Sequence, residues 1–279
     1  MAQTNRIREG SRVADVIIYI VLGIICLVTL YPMYYVFILS ISDPLQAASM
    51  QVYLYPKGFY LDSYKLLFQD GSLWRSYLNT LLYVVSDTVL MLVVCTLCAY
   101  PLTSNRLIGR KVVTLFLLIP MYFSGGLIPT YLVMTKLGLY NNIWGVILPV
   151  VTTTTGIFMY RQHYMSIPLS FVEAARIDGA NEFVILYRIV YPMCKPVLTT
   201  IMVLVFIGGW NDLNGPLLYL QDSAKYTLSI GLQMFLTTAR QEWDLLMAAG
   251  VMFTLPLIII FFLAQKQFIS GISTTSGLK

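Results

Sequence analysis

The feature that most limits how this chain can fold is its series of apolar runs, each about as long as a bilayer is thick. The first extends from about Ala14 to Ile41, and others follow at intervals to about Leu263. A helix needs roughly 20 apolar residues to cross a hydrocarbon core of about 30 Å. Only 11% of the 279 residues are charged, against about 25% in a soluble domain. These runs predict an all-α membrane protein of one domain, residues 1–279, with six transmembrane helices and short loops.

Residues 1–12 are polar and basic, and the run from Ala14 is too long for the core of a cleaved signal and lacks a clear cleavage site. It is read as span one. Residues 42–75 form a polar loop. Span two is expected from Asn79 to Tyr100, and span three from Val112 to Met134, interrupted by Pro120, Gly125, Gly126 and Pro129. Span four runs from Ile143 to Tyr160, with Pro149 and the run Thr152 to Thr155 inside it. Such breaks need neighbouring helices or water to pair the freed backbone groups. Span five is short, about Val197 to Trp210, and a loop over residues 211–245 leads to span six, about Leu246 to Leu263. A polar tail covers about 264–279.

Charge fixes the expected orientation. With the N-terminus inside, residues 1–13, 101–111, 161–196 and 264–279 face the cytoplasm. They carry about twelve of the 18 Lys and Arg, as cytoplasmic loops do. Both termini are therefore expected in the cytoplasm. The net charge of +5 reflects this topology rather than an affinity for nucleic acid.

Between spans four and five lies the most distinctive stretch, Ser170 to Pro196. Ser170 and Glu173 have capping-box spacing, which predicts a helix from about Phe171. Asp178-Gly179 ends it, because glycine accepts the left-handed conformation that closes a helix. Asn181 caps a second helix, with Glu182 in its first turn. Pro192 and Pro196 are expected to close that helix or restart the chain. The prediction is a helix-turn-helix knob over about 165–196, projecting into the cytoplasm.

This stretch resembles the cytoplasmic E-A-A loop of binding-protein-dependent ABC importer permeases. Glu173, Ala174, Ala175, Gly179, Ile189 and Pro192 stand at the family's spacing; Tyr191 replaces the usual leucine. The intact R-I-D-G-A of Arg176 to Ala180 is similar to the carbohydrate-uptake branch. Other stretches resemble the smaller permease subunit of maltose-type importers. They are Asn79-Thr80, Ala99-Tyr100, Gly126 to Pro129, Leu137 to Leu139, Trp210 to Asp212 with Pro216-Leu217, Thr227 to Leu232, Gln265 to Gly271 and the final Gly277-Leu278-Lys279.

The resemblance implies a multi-pass permease of the cell membrane that takes a sugar or oligosaccharide from an extracytoplasmic solute-binding protein. It implies a second, distinct permease chain and two ATP-binding subunits, with ATP and Mg held by those subunits and no cofactor on this chain. Glu173, Ala174, Ala175, Arg176, Asp178 and Gly179 would then couple to the ATPase: small alanines allow close approach, Gly179 sets the angle between helices, and Glu173 both caps its helix and pairs with a basic group of the ATPase. Tyr219, Gln221, Lys225 and Tyr226, with Trp243, are candidate contacts of the binding protein.

The residues themselves add to this and exclude rivals. Asp87 sits mid-span, where a charge costs about 2.5–3.5 kcal/mol unless it faces the bundle or a wet cavity. With Thr152, Thr153, Asn211 and Asp212 it is a candidate pathway-lining group, with an internal hydrogen-bonding partner as the other reading. No G-x-x-x-x-G-K-[ST] phosphate loop occurs, so ATP binding by that route belongs to another chain. Cys95-x-x-Cys98 has no second pair and no nearby histidine, and reads as small apolar side chains in a helix. His163, the one histidine, lacks companions for a metal. No internal repeat of a secondary transporter and no convergent catalytic groups of an intramembrane enzyme are found. A permease for a non-sugar solute is the nearest alternative, ahead of a non-ABC transporter.

Overall fold

The computed structural model describes residues 12–123, 125–238 and 242–275. In chain order the helices are α1 (Arg12–Ser40), α2 (Pro44–Ala48), α3 (Asp62–Gln69), α4 (Gly71–Ala99), α5 (Arg110–Tyr122), α6 (Leu127–Lys136) and α7 (Ile143–Val151). There follow α8 (Thr154–Met165), α9 (Leu169–Ile177), α10 (Glu182–Ile185), α11 (Tyr191–Asn211), α12 (Asn214–Tyr219), α13 (Leu228–Thr238) and α14 (Trp243–Thr275). Among the described residues there is no strand beyond one isolated bridge, Ser42 to Phe59.

Three helices, α1, α4 and α14, are each long and apolar enough to cross a bilayer. Among the described residues, three bent pairs, α5 with α6, α7 with α8, and Glu182–Lys195 with Leu198–Asn211, raise the total to as many as six spans. Each break has a local cause. Between α5 and α6 lie Gly125 and Gly126, the latter at φ +84°. Between α7 and α8 the axis turns by 45° after Pro149, and Thr153 starts the new helix by accepting from the Gly156 amide at 3.1 Å.

By internal contacts the chain divides into two units. One comprises the residues through Gln69 together with Phe235–Thr254. Here Ile38, Leu39, Ala47 and Val52 form a small buried cluster against Tyr35, Trp243 and Met247. The buried Ser63 hydroxyl donates to Asp244 Oδ2. The apolar side chains of α1 from Val16 to Leu30 remain largely exposed. In water this would leave a continuous apolar surface, whereas a lipid environment solvates it.

The second unit comprises Asp70–Met234 and the residues from Leu255. It is built on α4, whose side chain cap is Asp70, accepting from the Ser72 and Leu73 amides. The α4 helix starts at Gly71, earlier than the sequence predicts, because Asp70 caps it there. Met91, Cys95 and Ala99 of α4 lie in one buried cluster with Ile157 and Tyr160 of α8 and with Leu198 and Ile201 of α11. Close packing is recorded at Gly156, where a Cβ would meet Met91 Cε at 2.8 Å and Cys95 Sγ at 3.3 Å.

Other boundaries also move. The 211–245 stretch read as a loop contains α12, a 3₁₀ turn over Ser223–Lys225, α13 and the start of α14. The polar tail from Gln265 continues α14 to Thr275, and Gly277 to Lys279 lie outside the described residues, as do Arg6 and Arg8. Pro192 does not end the chain's helix, whereas at Pro196 the axis breaks, bending by 75° between Lys195 and Leu198. A π-helical turn, Leu186–Val190, precedes α11 and puts Pro192 in its first turn. There the missing N–H costs little, and the wide turn relieves the clash with the carbonyl four residues back.

Candidate functional site

The predicted knob is present as α9, a turn and α10, but it begins differently. Pro168, not Ser170, precedes the first turn, and no side chain caps that end. Ile167 is buried in the core cluster, so the chain is pinned there and turns helical at once behind a proline of fixed φ. The Ser170–Glu173 capping box therefore does not form; Ser170 already lies inside the helix, and Glu173 is exposed.

The rest of the turn follows the sequence. Asp178 stands at the C-cap, Gly179 adopts φ +79°, and its amide donates to the Arg176 carbonyl at 3.1 Å. The Ala180 amide reaches back to the Ala175 carbonyl at 2.9 Å, which closes α9 in a tight left-handed cap. Asn181 Oδ1 then accepts from the Val184 amide at 2.8 Å and caps α10.

Two further bonds converge on Glu182, the first closing the knob on itself and the second fixing it to the end of α4. Arg176 Nε donates to Glu182 Oε1 at 2.8 Å, and the Tyr100 hydroxyl donates to Glu182 Oε2 at 2.7 Å. The Arg176 guanidinium holds the Glu182 carboxyl below its ordinary range, so both bonds are made to a carboxylate at neutral pH. Nearby, Arg161 Nε donates to the Leu102 carbonyl at 3.1 Å. The inward side of the knob, Ala175, Ile185, Leu186 and Val190, joins the core cluster. The outward side carries Phe171, Glu173, Ala174, Asp178 and Gly179, with Ile177 87% exposed and Phe183 67% exposed. The arrangement is a rigid, core-anchored projection with an apolar and acidic tip.

The remaining candidates scatter over the second unit. Asp87 is buried within α4, 6% exposed, and its Oδ1 has no hydrogen-bond partner among the described residues. Thr152 is exposed at the α7–α8 break, and Thr153 is the cap of α8. Asn211 Nδ2 donates back to the Ile207 carbonyl, and Asp212 Oδ1 accepts from the Asn214 and Gly215 amides. Tyr219 is buried and stacks on Tyr131 at 6.3 Å. Lys225 Nζ donates to the Asn141 carbonyl at 2.8 Å, and the Tyr226 hydroxyl donates to the Gln221 carbonyl at 3.1 Å. Gln221 itself is exposed.

A staple that the sequence reading missed holds this outer stretch. Asn141, at φ +52°, accepts through Oδ1 from the Gln221 and Asp222 amides and donates its own amide to the Tyr219 carbonyl at 2.7 Å. Asn79 Nδ2 bonds the Ala224 and Tyr226 carbonyls from α4. The paired asparagines after Tyr140 signal a turn, but nothing local announces partners about 80 residues away. The Tyr100–Glu182 pair is equally silent in sequence. Among the described residues no group of His, Cys, Asp or Glu is placed to hold a metal ion.

Broken apolar helices, those of α7, α8 and α11 packed on α4, with an apolar and acidic projection between two of them, mark a multi-pass helical membrane protein. The whole-chain comparison gives the family. Residues 1–274 match the model described as "Binding-protein-dependent transport system inner membrane component", and the chain belongs to that family of multi-pass inner-membrane proteins. Protein LplC of Bacillus subtilis (strain 168) is 31% identical over 94% of this chain and 94% of its own length. The polygalacturonan/rhamnogalacturonan transport system permease protein YtcP of the same organism is 30% identical, covering 94% of this chain and 96% of its own. Among solved structures, a chain of a bacterial ABC transporter involved in the import of the acidic polysaccharide alginate superposes with a TM-score of 0.84. It is 32% identical and covers 96% of this chain and 100% of its own.

Proposed function

We propose that this chain is one half of the membrane channel of an ATP-driven importer, taking a saccharide from an extracytoplasmic binding protein. A second permease chain completes the channel, and two separate subunits hold ATP and Mg. The chain itself performs no catalysis and carries no cofactor. The observation that carries this reading is the α9–α10 knob. One side is sunk in the core with α4 and α8, while the other presents Glu173, Ile177 and Phe183 outward. A body of that kind moves with the spans and can be gripped by a partner, which is what coupling of a gate to ATP-driven closure requires.

In this account both termini and the 165–196 loop lie in the cytoplasm, in keeping with the charge distribution. Ala174 allows close approach of the ATPase, Glu173 pairs with one of its basic groups, and Arg176, Asp178 and Gly179 hold the shape of the tip. Asp87, Thr152, Thr153, Asn211 and Asp212 line the pathway. The surface around Gln221, Lys225 and Tyr226, stiffened by Tyr219, receives the binding protein. The names of the relatives support saccharide cargo.

Reconstitution tests the proposal. The chain is assembled in vesicles with its second permease, ATPase and binding protein, and uptake of labelled oligosaccharide is followed. Uptake that needs both ATP and the binding protein is expected. Failure to assemble with any ATPase, or uptake without ATP, would overturn it. Uptake of a small non-sugar solute in place of every oligosaccharide tried would move the cargo to the alternative class.

A further inference from the structure

The first outer loop holds a cleft of about 290 Å³ lined by Gln51, Tyr53, Leu54, Tyr55 and Lys57. Its walls are held by the surrounding structure rather than left to a free loop. Val52 is fully buried against Ile38, Leu39 and Ala47. Tyr31 and Tyr34 of α1 donate their hydroxyls to the Tyr53 and Leu54 carbonyls, at 3.2 and 2.5 Å. The Asp43 amide donates to the carbonyls of Lys57 and Gly58, each at 3.0 Å. Gly58, at φ +66°, sits so close to Asp43 that a Cβ would lie 2.9 Å from that side chain. The Tyr60 amide closes the loop onto the Ile41 carbonyl at 3.0 Å.

This braced loop spends its backbone bonds and the Val52 side chain inward and leaves its tyrosines outward. Tyr53 is 62% exposed and Tyr55 66%. Lys57 is half-buried, and its ammonium makes no hydrogen bond or ion pair among the described residues. Two aromatic faces, an amide and an unpaired cation in one rigid cleft match one ligand chemistry well. A sugar ring offers apolar C–H faces to tyrosine and hydroxyls to glutamine, and a ring carboxylate offers the partner that the ammonium lacks.

We propose that this cleft is a contact site for a uronate-bearing saccharide at the outer face of the permease. The proposal rests on the saccharide-import reading and adds a site and a charge to it. Rigidity matters here, because a preformed cleft loses little freedom on binding.

The test uses the assembled permease–ATPase complex in nanodiscs of neutral phosphatidylcholine, with trigalacturonate as probe and binding followed by calorimetry and saturation-transfer NMR. Saturable binding is expected, weakened about tenfold in Lys57→Gln, because one charge-assisted contact is lost. The methyl-esterified trisaccharide, lacking the charge, should bind wild type and Lys57→Gln equally. Tyr53→Leu with Tyr55→Leu should weaken both probes. Equal trigalacturonate binding by wild type and Lys57→Gln would overturn the proposal. So would displacement of the saccharide from discs containing phosphatidylglycerol, which would assign the cleft to a lipid headgroup. ATPase stimulation by saccharide-loaded binding protein on the same particles separates the two readings. Stimulation with an inert cleft removes the cleft alone, and no stimulation with any loaded binding protein removes the import reading as well.

Discussion

Replacing Glu182 with alanine should loosen the knob without unfolding the permease. Glu182 accepts from Arg176 at 2.8 Å and from Tyr100 at 2.7 Å, and the second bond ties the knob to the end of α4. Hydrogen bonds to a charged group contribute about 1.5–3 kcal/mol when sheltered. Here the Glu182 side chain is 55% exposed and that of Arg176 is 29% exposed, so solvent screening reduces the ion-pair part to well under about 1 kcal/mol. The pair of bonds together should contribute about 1–2 kcal/mol. Local opening of α9 and the turn should then become about 5- to 30-fold more frequent. Amide hydrogen exchange over residues 169–181 in detergent reads this directly. Tyr100→Phe removes one arm and should give a smaller rise, and the double variant should exceed Glu182→Ala very little, since both act through one carboxylate. Exchange in Glu182→Ala equal to wild type, with Tyr100→Phe also silent, would refute the clamp.

Three further outcomes follow from the same structure. Because Arg176 holds the Glu182 carboxyl below its ordinary range, the clamp is fully present above the ordinary glutamate value. It is lost as pH falls through the depressed one, so exchange of the knob relative to a model peptide should be flat from about pH 5 to 8 and rise only in stronger acid. Gly145→Ala should lower the thermal midpoint of the purified chain by an amount corresponding to about 1–3 kcal/mol, because the new Cβ would collide with the Leu139 carbonyl oxygen, which is backbone and cannot swing aside. Gly23→Ala, with open space at that position, is the control expected to show no loss. Asn141→Ala should cost about 1–3 kcal/mol in the same assay, through lost acceptors for two amides and a strained left-handed residue. Asn141→Asp keeps the acceptor and should recover most of that loss.

The apolar runs and the breaks in them were legible because hydrophobic length and glycine or proline punctuation are local signals. Gly125 and Gly126, and Pro149 with Thr152–Thr155, marked real interruptions, whereas Pro120 and Pro129 lie inside α5 and α6. The turn of the knob was equally readable, since Gly179 and Asn181 act on backbone groups only a few residues away. Its start was not. The Ser170–Glu173 pattern has the right spacing, yet Ile167 is anchored in the core and the helix begins directly after Pro168. Of the prolines after it, Pro196 marked a real bend of 75°, but Pro192 misled for a related reason: the π-helical turn before it has no sequence signature, and it lets a helix pass where proline alone argues for a stop. Least visible were the long-range fastenings, Tyr100 to Glu182 and Asn141 to the 219–225 stretch. Their partners are brought together by the packing of spans, which a single sequence does not record.

The central claim is that the α9–α10 knob transmits the state of the membrane gate to an ATPase. The measurement that meets it most directly is ATPase stimulation by loaded binding protein in the reconstituted complex, comparing wild type, Glu173→Ala and Gly179→Pro. Gly179 holds φ +79°, which proline cannot adopt, and its amide is bonded to the Arg176 carbonyl. The account predicts that both variants insert and assemble with the ATPase, yet lose most of the stimulation. Full stimulation in both, with assembly intact, would contradict it and leave the knob a structural hairpin.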